Sequence, residues 1–163
     1  TLHTNNAVAS ITRLIDLGVE RYLIGSSLAC VVAQRLVRTI CPGCRGKVDP
    51  DPAVLRMLDP RAKDIGQTMR GKGCDRCHNT GYAGRLGIFE VLVVTDEIRD
   101  LIASRASSEE IARAAFRGGM FSMRDDALRK AAEGLTTLEE VLRVTRKNVA
   151  FLDEDAVTVP ARG

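Results

Sequence analysis

The pattern of apolar and polar residues at the start of the chain predicts a strand followed by a helix. Leu2 and His3 resemble the end of a strand, and apolar residues then recur at helical spacing over residues 8–15. The asparagine pair before this helix can cap it, and Gly18 can end it. We therefore expect a strand-to-helix unit in the first 20 residues.

The next apolar stretch, residues 22–32, has helical spacing but no clean polar face, which predicts a buried helix. Cys30 lies among apolar neighbours in this stretch, so we expect it to be a small core residue without chemistry of its own. Residues 34–40 fit two alternatives, a continuation of that helix or a strand that leads into Cys41.

Two further elements are predicted in the middle of the chain. Residues 51–59 can form a short helix, with Pro52 in its first turn and Pro60 beyond its end. Residues 85–94 are rich in Ile, Phe and Val with few polar interruptions, the composition of a strand that is buried on both faces. We expect that strand to belong to a shared core.

From residue 95 onward the pattern is purely helical. Ser107 and Thr137 each begin a Ser/Thr-x-x-Glu capping box, and Ser122 begins a weaker version that ends in aspartate. Glycines punctuate the ends of the helical segments. We predict four short helices packed on one another over residues 95–146, followed by a loose tail over residues 147–163.

The composition describes an ordinary globular protein. Hydrophobic residues make up 45% and charged residues 28% of the 163 positions, enough for one sizeable core or two small domains. The 24 basic and 21 acidic residues leave a net charge of +3 and are mixed along the chain, which argues against nucleic acid as a partner. No apolar run approaches the roughly 20 residues of a membrane helix, and no export signal is visible.

Four of the five cysteines form two C-x-x-C pairs, Cys41 with Cys44 and Cys74 with Cys77, separated by 29 residues. Two intervening residues allow both sulfurs of a pair to reach one ion, and four thiolates form the tetrahedral cage that Zn²⁺ prefers. Glycines near both pairs allow the chain to turn sharply around a metal. Because cysteines would fill all four positions, we expect the zinc to be structural and not catalytic.

The two histidines have alternative interpretations. Cys74, Cys77 and His78 also spell C-x-x-C-H, the attachment motif of c-type haem, but haem attachment would leave the first cysteine pair unexplained. His78 as a metal ligand would strain the chelate, so we expect it to be exposed. His3 is either a surface histidine or a residue that contacts a ligand where α/β sheets bind nucleotides.

The chain lacks the sequence motifs of phosphate binding and hydrolysis. It contains no G-x-x-x-x-G-K-[ST] loop, no H-E-x-x-H sequence and no Ser/His/Asp constellation. We therefore expect these residues by themselves to have no catalytic activity.

Several motifs of this chain occur together in one known family. They are Thr-Leu-His-Thr-Asn-Asn at 1–6, Arg-Leu-Ile-Asp at 13–16, Ala-Gln-Arg-Leu-Val-Arg at 33–38 before the first cysteine pair, and Thr-Gly-Tyr-x-Gly-Arg-x-Gly-Ile-x-Glu at 80–90 after the second. Residues 125–130 and 134–142 add two helical motifs. This combination, which runs from Thr1 to about residue 145, resembles the secretion ATPases of the type II secretion and type IV pilus assembly family.

The resemblance implies the fold class and the domains. It implies an α/β fold in which residues 1–40 are the remnant of a RecA-like ATPase domain. Residues 41–94 would form a tetracysteine zinc-binding module with a core strand, residues 95–146 a small C-terminal helical bundle, and residues 147–163 a flexible tail.

The resemblance also implies roles for individual residues. It places His3 in the family's histidine box, near the nucleotide phosphates, and the four cysteines at the family's structural zinc site. The Walker A loop, aspartate box and Walker B acid, which serve ATP and Mg²⁺, precede the histidine box in this family and so fall before Thr1. Asn6 stands where an aspartate is common. The fragment is therefore expected to be inactive alone.

For function, the resemblance implies the C-terminal part of a hexameric cytoplasmic ATPase that powers type II secretion or type IV pilus assembly. Such a ring would lie at the inner face of the cell membrane and contact an inner-membrane platform, with no transmembrane segment of its own. The alternative is a freestanding zinc-ribbon module for nucleic acid or protein clients, which should show a basic or aromatic groove. The ATPase interpretation requires Leu2 and His3 to pair as a strand.

Overall fold

The computed structural model describes residues 1–58 and 66–145. This part of the chain contains seven α-helices, four β-strands and a 3-10 turn at Asp75–Cys77. In chain order the helices and strands are α1 (Ala7–Asp16), α2 (Arg21–Ser27), β1 (Cys30–Ile40), β2 (Arg45–Val48), α3 (Pro52–Leu58), β3 (Thr68–Gly71), β4 (Tyr82–Val93), α4 (Asp96–Ala103), α5 (Ser108–Arg117), α6 (Met123–Ala132) and α7 (Leu138–Thr145).

These elements divide into two units. Among the described residues, the first unit holds 1–33 and 90–121, and the second unit holds 34–58, 66–89 and 122–145. The strands β1 and β4 each contribute to both units.

The first unit packs four helices around one apolar core. α1 begins as predicted, because Asn6 Oδ1 accepts a hydrogen bond from the Ala9 N–H at 2.7 Å. Gly18, with a positive φ of 83°, follows its end. α2 packs on α4, and α5 packs on both α1 and α4. The core is made of Ala7, Val8, Ile11, Ile24, Leu92, Val94, Ile98, Ile102, Ile111, Ala112, Ala114 and Ala115.

The two long strands pair with each other. At one end Val94 N–H donates to the Ala29 carbonyl at 2.9 Å, and at the other end Cys41 N–H donates to the Gly81 carbonyl at 2.9 Å, so β1 and β4 are antiparallel. The strand predicted over 85–94 is therefore confirmed. The prediction that this strand is buried on both faces is wrong. Buried and exposed side chains alternate from residue 88 to 93, as in a strand with one buried face.

The prediction of one buried helix over residues 22–32 is wrong. α2 ends at Ser27 and β1 begins at Cys30, because the β-branched residues that follow favour extended backbone and β4 supplies a pairing partner. Cys30 is exposed and not a core residue, since it lies on the open face of β1. For residues 34–40, the strand alternative is the one that forms.

The strand predicted at Leu2 and His3 does not form. Residues 1–4 are in neither helix nor strand. A strand needs a neighbour to accept and donate its backbone hydrogen bonds, and the strands of the described residues pair only as β1 with β4 and β2 with β3.

The second unit combines a short ribbon with three helices. β2 and β3 are antiparallel, with Arg45 opposite Gly71 and Val48 opposite Thr68. α3 confirms the helix predicted from Pro52 onward, whereas Pro60 and the predicted tail lie outside the described residues. α7 packs on α3 and α6, and α6 also packs on β3.

The four helices predicted over 95–146 all form, but a single bundle is not confirmed. α4 and α5 belong to the first unit, and α6 and α7 belong to the second. The capping boxes at Ser107 and Ser122 are complete, with reciprocal bonds to Glu110 and Asp125. At Thr137 only the backbone half is present, where Oγ1 accepts the Glu140 N–H at 3.3 Å.

The Glu140 carboxylate departs from its predicted capping role because it binds two arginines. It accepts hydrogen bonds from the Arg38 guanidinium at 2.6 Å, from the Arg38 N–H at 3.0 Å and from Arg143 at 2.7 and 2.8 Å. Its side chain is 1% exposed. Burial raises the pKa of Glu140, but the hydrogen bonds from Arg143 and Arg38 outweigh it and lower the pKa from 4.5 to about 2. This carboxylate joins β1 to α7.

A second buried ion, Arg124, connects two helices of this unit. Its guanidinium donates to the Leu58 carbonyl at 2.6 Å and to the Thr145 carbonyl at 3.1 Å. Leu58 belongs to α3 and Thr145 to α7, so one buried guanidinium holds the two helices together.

No helix in the described residues combines the length and the apolar composition needed to cross a bilayer.

The Glu140 network makes the stability of the second unit depend on pH. We expect Glu140→Gln to lower the free energy of unfolding by roughly 2–3 kcal/mol at neutral pH, because the ionised carboxylate is the buried acceptor for both arginines. The lowered pKa means that this contribution is complete above the ordinary value of 4.5 and is lost as the pH falls toward about 2. Urea unfolding of both proteins between pH 7 and pH 2 measures the difference, which should shrink in that range.

The matched control for this prediction is Glu139→Gln. Glu139 pairs with Arg70 and its side chain is 38% exposed, so its loss should cost less than about 1 kcal/mol. Proteins are compared at equal metal content, because acid also releases metals from thiolates. A pH-independent difference for the Glu140 variant would contradict the assignment.

Candidate metal centre

Four sulfurs from two distant segments converge on one point in the second unit. The Sγ atoms of Cys41 and Cys74 are 3.9 Å apart, those of Cys44 and Cys77 are 3.8 Å apart, and those of Cys74 and Cys77 are 3.7 Å apart. All four lie within 4.8 Å of one another. A tetrahedral zinc with Zn–S bonds of about 2.3 Å would place its sulfurs about 3.8 Å apart. The cluster could hold a metal ion, and its geometry is compatible with zinc.

Each cysteine pair is shaped by a tight turn. In the first pair, Cys44 N–H donates to the Cys41 carbonyl at 3.3 Å. In the second pair, the 3-10 turn places Cys77 N–H on the Cys74 carbonyl at 3.1 Å. His78 and Asn79 then adopt the left-handed conformation, with φ of 49° and 59°. These turns direct both sulfurs of a pair to the same side. We call residues 41–44 the first knuckle and residues 74–77 the second knuckle.

Backbone donors prepare one sulfur for metal binding. The N–H groups of Cys74 and Gly81 both point at Cys77 Sγ from 3.3 Å. Burial raises the pKa of Cys77, but these hydrogen bonds outweigh it and lower the pKa to about 6. Burial raises the pKa of Cys44 to about 11. These hydrogen bonds favour the thiolate form of Cys77, the form in which cysteine binds a metal.

Two glycines allow the ribbon and the second knuckle to cross at backbone contact. A Cβ atom added to Gly71 would lie 2.1 Å from the Gly81 carbonyl oxygen, and one added to Gly81 would lie 2.6 Å from the Gly71 oxygen. Gly81 also has a positive φ of 77°. Next to this crossing, Lys72 N–H donates to the Cys44 carbonyl at 3.0 Å and ties β3 to the first knuckle.

The cysteine cluster is attached to the turn between α6 and α7. Ile40 N–H, immediately before Cys41, donates to the Leu135 carbonyl at 2.9 Å. The Tyr82 hydroxyl, immediately after Gly81, lies 2.9 Å from Thr137 Oγ1. The Arg38 guanidinium stacks 4.0 Å from the Tyr82 ring centroid. Residues that flank both knuckles therefore contact the same short segment.

The structure brings together the four predicted cysteine ligands and leaves the other candidates apart. The cysteines form the one cluster of three or more possible metal ligands found among the described residues, and neither histidine belongs to it. His78 is exposed, as predicted, and so is His3. Because both cysteine pairs share one point, they act together as the zinc interpretation requires, whereas haem attachment would use the second pair alone.

Sequence reasoning missed the residues that support the cluster. The glycines near the cysteine pairs, which include Gly71 and Gly81, are predicted to form turns. Nothing in the local sequence indicates that Gly71 and Gly81 touch each other. No role in supporting the cluster was predicted for Arg38 or Tyr82. A pairing of β1 with β4 would have placed these two residues near each other, but that pairing could not be derived from the local pattern.

Together these features define a protein of mixed α/β structure with a tetracysteine cluster that could hold a metal ion. Comparison with known proteins then identifies its family. A family model described as Type II/IV secretion system protein matches residues 1–143, and the chain belongs to this family.

Named relatives agree with the family model. The chain is 48% identical over 149 residues to type II secretion system protein E of Pseudomonas aeruginosa, which covers 90% of this chain. It is 49% identical over 147 residues to the type IV pilus assembly ATPase PilB of Thermus thermophilus, which covers 89% of this chain. It is 45% identical over 148 residues to the type II secretion system ATPase E of Vibrio cholerae, which covers 91%. The matched segments span only 29%, 16% and 29% of those three relatives.

The glycine crossing predicts a sharp effect of one methyl group on metal binding. In Gly71→Ala the new methyl would meet the Gly81 backbone, so β3 and the second knuckle must separate. We expect a loss of about 1–3 kcal/mol in stability and a loss of about tenfold or more in zinc affinity, because the sulfurs lose their support. Competition with a chromogenic chelator measures the affinity.

The control is Gly66→Ala, because a Cβ atom at Gly66 meets nothing within 4 Å. This variant should keep the parent's affinity within about twofold. Equal zinc affinity in the two variants would show that the crossing does not support the site.

Proposed function

We propose that this chain is the C-terminal part of an ATPase that powers type II protein secretion or type IV pilus assembly. The observation that carries the proposal is the extent of the family match, which runs over residues 1–143 and so includes both cysteine pairs and all the helices up to most of α7. Two relatives named as such ATPases are 49% and 45% identical to this chain.

The proposal assigns roles along the chain. Residues 1–40 are the end of a RecA-like ATPase core, residues 41–94 the zinc module and residues 95–146 the helical part. His3 belongs to the nucleotide side of the active site. Because the chain has no phosphate-binding loop, the groups that hold ATP and Mg²⁺ belong to the rest of the longer protein, and the isolated chain does not hydrolyse ATP.

The proposal also covers the assembly. The full-length enzyme is a cytoplasmic hexamer that works at the inner face of the cell membrane with an inner-membrane platform. The relatives include both type II secretion and type IV pilus assembly proteins at nearly equal identity. The proposal therefore covers both systems.

The proposed role of the four cysteines is to hold a structural Zn²⁺. Cysteines fill all four positions of the tetrahedron, which leaves no position for a reactive water. The support for a mechanical role is the attachment of both knuckles to the turn between α6 and α7. Such a closed and braced module is a rigid element, which would transmit the motions that ATP binding and hydrolysis produce elsewhere in the enzyme.

The alternative of a freestanding zinc-ribbon module has less support. Exposed Arg45 and Lys47 do give the ribbon a basic side, but Tyr82, the aromatic residue next to the second knuckle, is engaged by Arg38 and Thr137. The family match also extends far beyond the knuckles. The strand that the ATPase interpretation required at Leu2 and His3 is not formed, so the proposal depends on the family match and the cluster instead.

The proposal predicts that the cysteine cluster is needed for transport. In the full-length protein, Cys44→Ser should remove zinc and reduce secretion or pilus assembly by about tenfold or more, because loss of one ligand opens the site. Cys30→Ser is the matched control, since Cys30 is exposed and outside the cluster, and it should behave like the parent. Metal content, ATP hydrolysis and transport are measured for each.

Two results would contradict parts of the proposal. Full transport by a zinc-free Cys44 variant would eliminate the mechanical role of the metal. Absence of ATP hydrolysis by the purified full-length protein would eliminate the ATPase assignment itself.

A further inference from the structure

Glu90 is a buried carboxylate in a strand whose inner face is otherwise apolar. It is 5% exposed, and Leu92, the next residue on the same face, is fully buried. Valine or leucine at this position would avoid the free energy of desolvating a polar side chain. The carboxyl group therefore needs a partner that an apolar side chain could not serve.

One such partner is the beginning of α1. Glu90 Oε1 accepts a hydrogen bond from the Ala7 N–H at 2.7 Å, across 83 residues of sequence. Ala7 is the first residue of α1 and is 0% exposed. The first N–H groups of a helix have no partner within the helix, and the helix dipole favours a negative charge there. Glu90 thus fixes the first turn of α1 to β4.

The first turn of α1 in turn holds the segment that contains His3. Residues 1–4 are in neither helix nor strand. Thr4 Oγ1 lies 2.7 Å from Ser10 Oγ, a hydrogen bond that joins the residue after His3 to α1. The position of His3 relative to β4 therefore depends on the first turn of α1, and that turn depends on Glu90.

We propose that Glu90 is a positioning residue for the nucleotide chemistry of the full-length ATPase. Its carboxylate holds the first turn of α1, and this turn, through Thr4, holds the His3 imidazole where the reaction needs it. The inference rests on the proposed function, in which His3 belongs to the nucleotide side. Glu90 itself contacts backbone and not nucleotide in this assignment.

A double-mutant cycle in the full-length enzyme tests this role. We expect Glu90→Ala to lower kcat for ATP hydrolysis by about tenfold with less than about a twofold change in KM, because the histidine is misplaced while most nucleotide contacts stay. Glu90→Gln keeps an oxygen that can accept the Ala7 N–H, and should stay within about threefold of the parent. His3→Ala combined with Glu90→Ala should be no slower than His3→Ala alone, because both changes remove one function.

A second variant separates loss of the hydrogen bond to Ala7 from misfolding of the protein. Glu90→Asp keeps the charge but shortens the side chain, so it should fold and still lose the bond to Ala7. We expect it to resemble Glu90→Ala in kcat. Hydrogen exchange should be faster over residues 5–10 in both variants and unchanged in α7. Glu97→Ala, which removes an exposed ion pair with Arg117, is the surface control and should match the parent.

The outcomes separate this inference from the proposed function. Suppose that His3→Ala lowers kcat and that the double variant is slower than His3→Ala by the same factor by which Glu90→Ala slows the parent. Glu90 then does not act through His3, and the inference is overturned. A Glu90→Asp enzyme with the parent's kcat and faster exchange over residues 5–10 would overturn it as well. If His3→Ala has the parent's activity, the nucleotide role of His3 in the proposed function fails first, and the inference fails with it.

Discussion

The convergence of four sulfurs from two segments 29 residues apart is the constraint on which the second unit depends. The ribbon beside it has only four residues in each strand, and a two-stranded ribbon of that length is marginal in water. A metal ion bound by all four cysteines would stabilise this ribbon, since the free energy of metal binding contributes to the free energy of folding. The backbone crossing of Gly71 and Gly81 brings the segments close enough for this to happen.

Polar contacts extend that constraint to the helices. α6 and α7 have ten and eight residues, too short to be stable as isolated helices. Buried Glu140 joins α7 to β1, and buried Arg124 joins α3 to α7. Breaking one partner of a buried ion pair is costly, because it leaves a buried charge without compensation. The second unit is therefore organised by a few directional contacts around the cysteines.

Sequence patterns predicted the features whose physics is local. A C-x-x-C spacing, an asparagine before a helix and a serine three residues before a glutamate each act within one turn, so the grouping of the cysteines and most helix starts could be predicted. The change from helix to strand near Cys30 was not found, because it depends on pairing with β4 more than 50 residues later. Glu140 was misread for the same reason, since Arg38, 102 residues away in sequence, competes for its carboxylate.

The physical account of the second unit depends on a metal ion held by the four cysteines. X-ray absorption at the zinc edge, combined with elemental analysis of the purified chain, tests it most directly. The account predicts one zinc per chain with four sulfur neighbours at about 2.3 Å. A chain without stoichiometric zinc, or a zinc with nitrogen or oxygen in its first shell, would contradict it.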